Sequence, residues 1–404
     1  MDRYRPALRR VRADAIGAGQ SGTIRPVQSL DDYLPRPGLS VPLVTVLDAK
    51  GRILEDEQRA LVNFLIQGGR GADVLFAAGT TGEWNRMENQ RRQAVCTVVT
   101  EECRAASNRV GRKIEAWAGI TAHTRADTLK NLEHALEIDA DAAVVAPLSI
   151  GDCASPADFV EAEMGRVFER RGRALPVFLY DNAEISAPGK DAHLHTRDVK
   201  RMARLDYVRG IKVTAGKAVL GNYTRAASHF KLSHEFAIYA GDPYVIFDLF
   251  TPPDTLAGAI RHRWNRYITQ RSKPYGVVAG PSNAMPREWQ RAWRVCRAGN
   301  LALMQRYEHA LGGLRQACEF TRSRRKMNPV IACYKSALAD MGVIESEAVA
   351  EGTPALEAAE RREFISRWRE LRRRNSEVLE PGWLSEAVPL SAAERMRATA
   401  RQNG

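Results

Sequence analysis

The sequence predicts a (β/α)8 TIM barrel with a C-terminal helical extension, and three observations carry that prediction. Eight short apolar runs, rich in β-branched residues, recur between residues 41 and 280. They are continuous rather than alternating, as expected for strands buried on both faces of a parallel sheet. Longer stretches with helical spacing separate them, giving eight β-then-α units. An open doubly wound sheet would carry a Gly-rich phosphate fingerprint after its first strand, and Asp48-Ala49-Lys50-Gly51 is not one.

In chain order the strands are expected at Val41–Val46, Ala72–Gly79, Ile114–Ile120 and Ala142–Pro147, then at Pro176–Asp181, Val208–Thr214, Phe236–Asp242 and Pro274–Gly280. Helical spacing is seen in Glu55–Gln67, Glu83–Ala106, Arg125–Ile138 and Pro156–Arg170. Beyond the barrel, helices are expected at Pro286–Ala298, Leu301–Thr321, Val330–Met341, Pro354–Asn375 and, more weakly, Ser385–Arg401. The chain therefore divides into an N-terminal extension (1–38), a barrel carrying the active site (39–299) and a C-terminal helical region (300–404).

Composition narrows the function classes. With 404 residues, 44% of them hydrophobic and 27% charged, the chain is long and apolar enough for a large core, which excludes disorder as its main state. It has no uncharged apolar run of about 18 residues, so no membrane association is expected. The net charge of +12 raises nucleic acid as a partner. Its densest clusters, Arg322-Ser323-Arg324-Arg325-Lys326 and Arg372-Arg373-Arg374, carry no interleaved aromatics and read as solvated surface. Nucleic acid is therefore not expected. The six cysteines form no C-x-x-C pair, and the Arg-rich start, Met1–Ala13, lacks an apolar secretory core. A reducing, cytoplasmic location follows as the expectation. His193 and His195 are read as an exposed loop pair rather than metal ligands.

In a barrel of this kind the strand C-termini build the active site. Strand two ends in Gly79-Thr80-Thr81-Gly82-Glu83, a Gly-rich turn with two hydroxyls before a helix. Such a turn can take an anion, or it can be an ordinary capped helix start. Strand five ends in Tyr180, where side chains begin to face the cavity. Strand six carries Lys212 between Ile211 and Val213. A lysine is rarely buried without reason, and a neutral amine in an apolar pocket is what Schiff-base formation requires. An outward-facing or paired lysine is the alternative. Strand seven ends Ala240-Gly241-Asp242, and strand eight leads into Gly280-Pro281-Ser282-Asn283. The glycines allow close approach of a ligand or simply punctuate loops.

This order of motifs resembles the dihydrodipicolinate synthase/N-acetylneuraminate lyase family. GTTGE follows strand two, Tyr180 ends strand five, G-I-K-V-T-A-G spans strand six, and A-G-D and G-V-V…N-x-x-P close strands seven and eight. The likeness runs from about Leu39 to Ile344 and includes Ala332-Cys333-Tyr334-Lys335-Ser336-Ala337-Leu338 in a late helix. It implies a barrel with a C-terminal helical extension, a homo-oligomer (dimer or tetramer), and metal-free, cofactor-independent chemistry on a 2-oxo acid. Lys212 would form the imine, Tyr180 would transfer protons and Thr80 would relay them. Thr81 and Gly82 would hold the substrate carboxylate, with Thr214, Gly241 and Asn283 around it. Thr214 matches the K-x-T-A-G of the lyase branch rather than the K-D-S-S-G of synthases.

Departures from the family pattern bear on substrate. Pro147-Leu148-Ser149 stands where the family has P-Y-Y, so the relay tyrosine donated across a subunit interface is missing, and His123 is a candidate substitute. Ile185 occupies the position of the synthases' acceptor-binding Arg. Asp242-Pro243-Tyr244 keeps one acid of the lyases' sugar-binding stretch, and the connection Phe250–Lys273 is longer than usual. Neither of the family's best-known substrates is expected. The expected function is a class I, lysine-imine aldolase or lyase acting on pyruvate or a related 2-oxo acid. A 2-oxo-3-deoxy sugar acid dehydratase on the same lysine and a catalytically retired binding barrel are the alternatives.

Overall fold

A computed structural model describes residues 30–227, 235–251, 257, 260 and 274–387. Eight parallel strands close into a barrel in chain order. They are β1 (Gly38–Pro42), β2 (Val74–Ala77), β3 (Glu115–Gly119), β4 (Ala142–Val145), β5 (Val177–Asn182), β6 (Val208–Thr214), β7 (Ala237–Ala240) and β8 (Gly276–Val278), with β8 pairing back onto β1. Between them run α1 (Glu55–Ile66), α2 (Asn89–Val110), α3 (Arg125–Glu137), α4 (Pro156–Asp158), α5 (Gly165–Arg171), α6 (Thr196–Met202), α7 (Lys217–Ala227) and α8 (Val245–Phe250). After the barrel come α9 (Pro286–Ala298), α10 (Leu301–Ala317), the hairpin β9 (Phe320–Arg322) and β10 (Arg325–Met327), α11 (Val330–Asp340) and α12 (Ala358–Val378). Among the described residues no helix is long and apolar enough to cross a membrane.

Several boundaries differ from the sequence reading, each for a physical reason. β1 ends at Pro42, which has no N–H; Leu43 still donates to the Phe76 carbonyl of β2, and Val44–Val46 leave the sheet. Buried side chains take over their backbone groups: Asn283 Oδ1 accepts from the Val44 N–H and Gln58 Oε1 from the Val46 N–H. The helix expected from Glu83 starts at Asn89, because Glu83 sits at φ 61° and Trp84–Arg86 form a 3-10 turn. A π-helical turn, Phe159–Met164, separates α4 from α5 where the spacing predicts one helix. The helix expected to reach Thr321 stops at Ala317, and the basic run Arg322–Lys326 becomes a hairpin turning on Ser323 and Arg324 at positive φ. Arg322 there meets Glu357 and Glu360, while Arg373 and Arg374 meet Glu370. Met1–Ala13, most of Phe250–Lys273 and most of the Ser385–Arg401 stretch lie outside the described residues.

The barrel interior is filled by side chains in rows, as expected for eight strands. At the N-terminal end Tyr33 plugs the opening and donates to Glu115 Oε2 at 3.0 Å, which also accepts from Trp117 Nε1 at 2.9 Å. Above it Trp117 stacks on Phe178 at 4.1 Å between ring centroids, with Tyr239 edge-on to both. Phe178 pairs in register with Gly210, and a Cβ at that glycine would fall 2.8 Å from the Phe178 ring. Glycine there makes room for the phenyl group. The next row up pairs Tyr180 with Lys212, and the last pairs Asn182 with Thr214.

Candidate active site

Period-two alternation along β5 and β6 sends Phe178, Tyr180 and Asn182, and opposite them Gly210, Lys212 and Thr214, into the barrel. The two upper rows face a cavity of about 280 Å3 at the C-terminal end of the strands. Thr80, Thr81, Tyr180, Lys212, Thr214 and Gly241 all line it. Lys212 is 5% exposed, and its Nζ lies 3.7 Å from the centroid of the Tyr180 ring and 5.4 Å from that of Phe76. Gly241 is required by a close approach: a Cβ there would sit 2.2 Å from Thr214 Oγ1.

The Tyr180 hydroxyl shares a 3.2 Å hydrogen bond with Thr80 Oγ1 and accepts one from Asn182 Nδ2 at 3.0 Å. Burial pushes this phenol up. The positive charge of Lys212 and the Thr80 hydrogen bond outweigh burial and leave it below the usual tyrosine value. Thr214 adds to that effect from close by, although its buried Oγ1 meets no partner at hydrogen-bond geometry.

The Thr80–Thr81–Gly82 turn is fixed from two sides. Thr45 Oγ1 donates to the Gly82 carbonyl at 2.8 Å. Beyond it the fully buried Glu83 carboxylate meets Lys335 Nζ at 2.8 Å and accepts from the Ala350 N–H at 2.7 Å. Lys335 comes from α11, so this ion pair ties the turn to the C-terminal helices. The same helices close one wall of the cavity with Arg315, Cys318, Asn328, Val330 and Tyr334. Tyr334 is 6% exposed, and its hydroxyl has no hydrogen-bond partner among the described residues. Tyr334 and Thr81 both border Gly280: a Cβ there would come within 3.5 Å of Thr81 Oγ1 and 3.9 Å of the Tyr334 hydroxyl. Burial, with the neighbouring Cys318 and Tyr244, holds the Tyr334 phenol well above its ordinary value, so it is available as a donor.

Two expected site residues are not brought to the cavity. Asn283 is fully buried and directs both ends of its amide to backbone, donating to Pro42 and Gly280 carbonyls and accepting from Val44. It joins the β8 turn to the segment after β1. Gly82 serves through its carbonyl and its place in the turn, outside the lining. His123 packs its ring on Trp84 and its Nε2 at 3.3 Å from the Asn85 carbonyl, also outside the lining. Ser149 Oγ is buried without a partner and does not line the cavity. His193 Nδ1 meets Asp181 Oδ2 at 2.8 Å and so fastens its loop to the outer face of β5. Among the described residues no group of three or more His, Cys, Asp or Glu is placed to hold a metal ion, and the six cysteines are buried thiols outside any disulfide.

A family model described as the dihydrodipicolinate synthetase family matches residues 36–260. The chain belongs to that family. Family membership makes the protein a lyase or aldolase-type enzyme. Two curated relatives named 4-hydroxy-tetrahydrodipicolinate synthase are similar to it. The one from Thioalkalivibrio sulfidiphilus is 27% identical over 184 residues, 44% of this chain and 55% of the relative, so the match spans about half of that protein. The one from a Geobacter species is 26% identical over 324 residues, 80% of this chain and 94% of the relative. Two solved structures share the fold. Dihydrodipicolinate synthase from Bacteroides thetaiotaomicron superposes with a TM-score of 0.67 at 18% identity, over 84% of this chain and 99% of the other. Ruminococcus gnavus sialic acid aldolase gives 0.64 at 16% identity, over 85% and 99%.

Among the cavity residues that sequence reasoning misses are Asn182, Glu184, Arg315, Asn328 and Tyr334. Asn182 carries a usable signal, since it stands two residues after Tyr180 on a strand that ends one residue later than expected. Of the three from beyond the barrel, Tyr334 falls in the late-helix stretch that shares the family likeness without marking it as a site residue, and Arg315 and Asn328 carry no local signal. They arrive because α10, the β9–β10 hairpin and α11 fold across the strand ends.

Proposed function

We propose that the protein is a class I aldolase or lyase that joins or cleaves a carbon–carbon bond of pyruvate or a related 2-oxo acid through an imine on Lys212. The observation that carries the reading is the register pairing of Lys212 with Tyr180 at the floor of the cavity, with Nζ against the phenol ring. The amine adds to the 2-oxo carbon and water leaves, which acidifies the neighbouring C–H. Tyr180, held below its usual pKa, accepts that proton, and Thr80 passes protons between the phenol and the cavity. The substrate carboxylate sits at Thr81, with the Tyr334 hydroxyl as a second donor beside it. Asn182 holds the phenol oxygen from the other side. A homo-oligomer, dimer or tetramer, belongs to the same reading, and sedimentation of the purified chain measures it directly.

Incubation with pyruvate and borohydride followed by intact mass and peptide mapping tests the proposal. A reduced adduct on Lys212 is expected. Absence of that adduct under conditions that trap a control class I aldolase would remove the imine mechanism. Exchange of the pyruvate methyl hydrogens in D2O, followed by proton NMR, reads the next step without requiring a second substrate.

A further inference from the structure

We infer that Gly280 is a specificity-determining residue: the side chain it lacks leaves a seat for the 2-oxo acid carboxylate, bounded by the hydroxyls of Thr81 and Tyr334. This assignment rests on the imine reading above and adds what shapes the carboxylate end of that site. The fold does not call for a glycine here. The backbone at Gly280 is outside the left-handed region, where Gly111 and Gly299 end their helices, so it would accept an L side chain. Packing does not demand it either. A Cβ at Gly210 would strike the Phe178 ring and one at Gly241 the Thr214 hydroxyl, whereas a Cβ at Gly280 would meet nothing closer than 3.5 Å. What it would meet is the cavity wall: Thr81 Oγ1, then Tyr334 Cε2 at 3.7 Å and the Tyr334 hydroxyl at 3.9 Å.

The two hydroxyls are open and suitably spaced. Neither has a hydrogen-bond partner among the described residues. Both lie within 3.9 Å of one point, so they stand no more than about 8 Å apart, the span of a carboxylate that accepts an O–H···O bond on each oxygen. Tyr334 is buried, and that burial, with Cys318 and Tyr244 beside it, keeps the phenol protonated, so it meets an anion as a donor. An uncharged group at the same carbon would leave one donor without a strong acceptor, which is how the seat tells a 2-oxo acid from its neutral analogues.

The spacing is held from behind. Thr81 stands two residues before Glu83 and Tyr334 one residue before Lys335, and the Glu83 and Lys335 side chains form the fully buried ion pair. Glu83 takes a left-handed backbone, φ 61°, which a non-glycine residue adopts at a cost. The pair keeps that turn in place. It also neutralises the Glu83 carboxylate, which would otherwise repel an anion two residues away.

The test compares the parent with Tyr334→Phe and Gly280→Ala. The half-saturating pyruvate concentration is read from the borohydride adduct on Lys212 and from methyl-hydrogen exchange in D2O, and pyruvamide serves as the planar, uncharged analogue. Y334F removes one unpartnered hydroxyl and G280A adds one methyl group at ordinary contact distance, so both should keep the parent's urea unfolding midpoint. The parent is expected to favour pyruvate over pyruvamide. Y334F should raise the half-saturating pyruvate concentration about 10- to 100-fold, with the maximal exchange rate within about threefold, and should narrow the preference over pyruvamide. G280A should raise that concentration by about tenfold or more, because its methyl group intrudes on the seat. An unchanged half-saturating concentration in either variant, a Y334F loss confined to the maximal rate, or a parent that takes pyruvamide as readily as pyruvate would overturn the assignment while the Lys212 adduct left the imine reading standing. A G280A loss accompanied by a lowered unfolding midpoint overturns it too, since packing would then explain the glycine. No adduct in the parent removes both readings together.

Discussion

The two ends of the barrel bury titratable groups equally well and do opposite things with them. At the N-terminal end Glu115 is enclosed with Tyr33, Trp117 and Tyr239, and both nearby donors reach its carboxylate. At the C-terminal end Tyr180 and Lys212 are just as inaccessible, but they face a cavity. Thr214 Oγ1 and the Tyr334 hydroxyl stand there without partners among the described residues. Burial therefore does not distinguish a site from a core. Hydrogen-bonding capacity left open beside buried charge does, because an unmade bond in a low-dielectric pocket is costly until a ligand completes it. The electrostatics differ in the same way. Burial, and secondarily Asp141, push Glu115 up to about 7, whereas the charge of Lys212 brings Tyr180 down against its own burial.

The sharpest way to break that comparison is to remove the charge at the upper end. Lys212→Ala should abolish both the borohydride adduct and pyruvate hydrogen exchange. Tyr180→Phe should keep the adduct and slow the exchange by about 10^2- to 10^4-fold, the range for loss of a positioned acid–base group. Exchange in Y180F at the parent rate would assign the proton transfer elsewhere and leave Tyr180 as a core aromatic, no different from Phe178.

A second break concerns the strut between the upper turn and the C-terminal helices. Lys335 and Glu83 have side chains with no exposed surface, so truncating one strands the other. Lys335→Met should cost about 3–5 kcal/mol of unfolding free energy in urea titration. Glu83→Gln with Lys335→Met should recover much of that, because neither charge is left alone. If the double variant is as unstable as the single one, packing rather than charge holds the strut.

Much of this architecture is legible in the chain, and the limits have physical causes. The eight continuous apolar runs specify a doubly covered parallel sheet, and the barrel closes as they suggest. Strand β6 matches its expected bounds to the residue, because Gly210, Lys212 and Thr214 alternate with Arg209, Ile211 and Val213 through its whole length. Strand β1 is misplaced by local pattern because Leu43–Val46 have strand-like side chains, yet the N–H groups of Val44 and Val46 are taken by Asn283 and Gln58 rather than by a neighbouring strand. Such long-range capture leaves no mark in the local sequence. The same Asn283 looks like a ligand residue and instead ties two loops together. Arg315 and Tyr334 are invisible as site residues for the converse reason: they lie on helices far beyond Tyr180 in the chain, and only tertiary folding delivers them.

At the lower end, Glu115→Gln is expected to stabilise the protein above neutral pH. The Glu115 carboxyl has a folded pKa of about 7 against an ordinary 4.5, so the folded state holds the proton more tightly than the unfolded one. Stability from this group is complete below about pH 4.5 and is lost as pH rises to about 7, at about 1.4 kcal/mol for each pH unit between those two values. A glutamine keeps an acceptor for Tyr33 and Trp117 without the buried charge. Urea unfolding should thus show about 1–3 kcal/mol gained at pH 8 and almost nothing at pH 4. A pH-independent effect would mean that the shape of the side chain, not its ionisation, governs that end.

The smallest effect is the most specific to the upper end. Thr80 shares its hydroxyl with the Tyr180 oxygen, and that hydrogen bond favours the phenolate. In Thr80→Val the phenol must move up toward its ordinary value, since burial and the Lys212 charge remain and one stabilising bond is gone. The pH profile of pyruvate hydrogen exchange should then keep its shape while its rising limb moves to higher pH. The loss should be greatest at neutral pH and should shrink in alkaline solution, where both proteins have ionised the phenol. A net hydrogen bond worth about 1 kcal/mol corresponds to a displacement of a little under one pH unit, which such a profile resolves. A uniform loss at every pH would leave Thr80 acting as the relay or in contact with substrate without tuning the phenol, whose depressed state would then rest on Lys212 and Thr214.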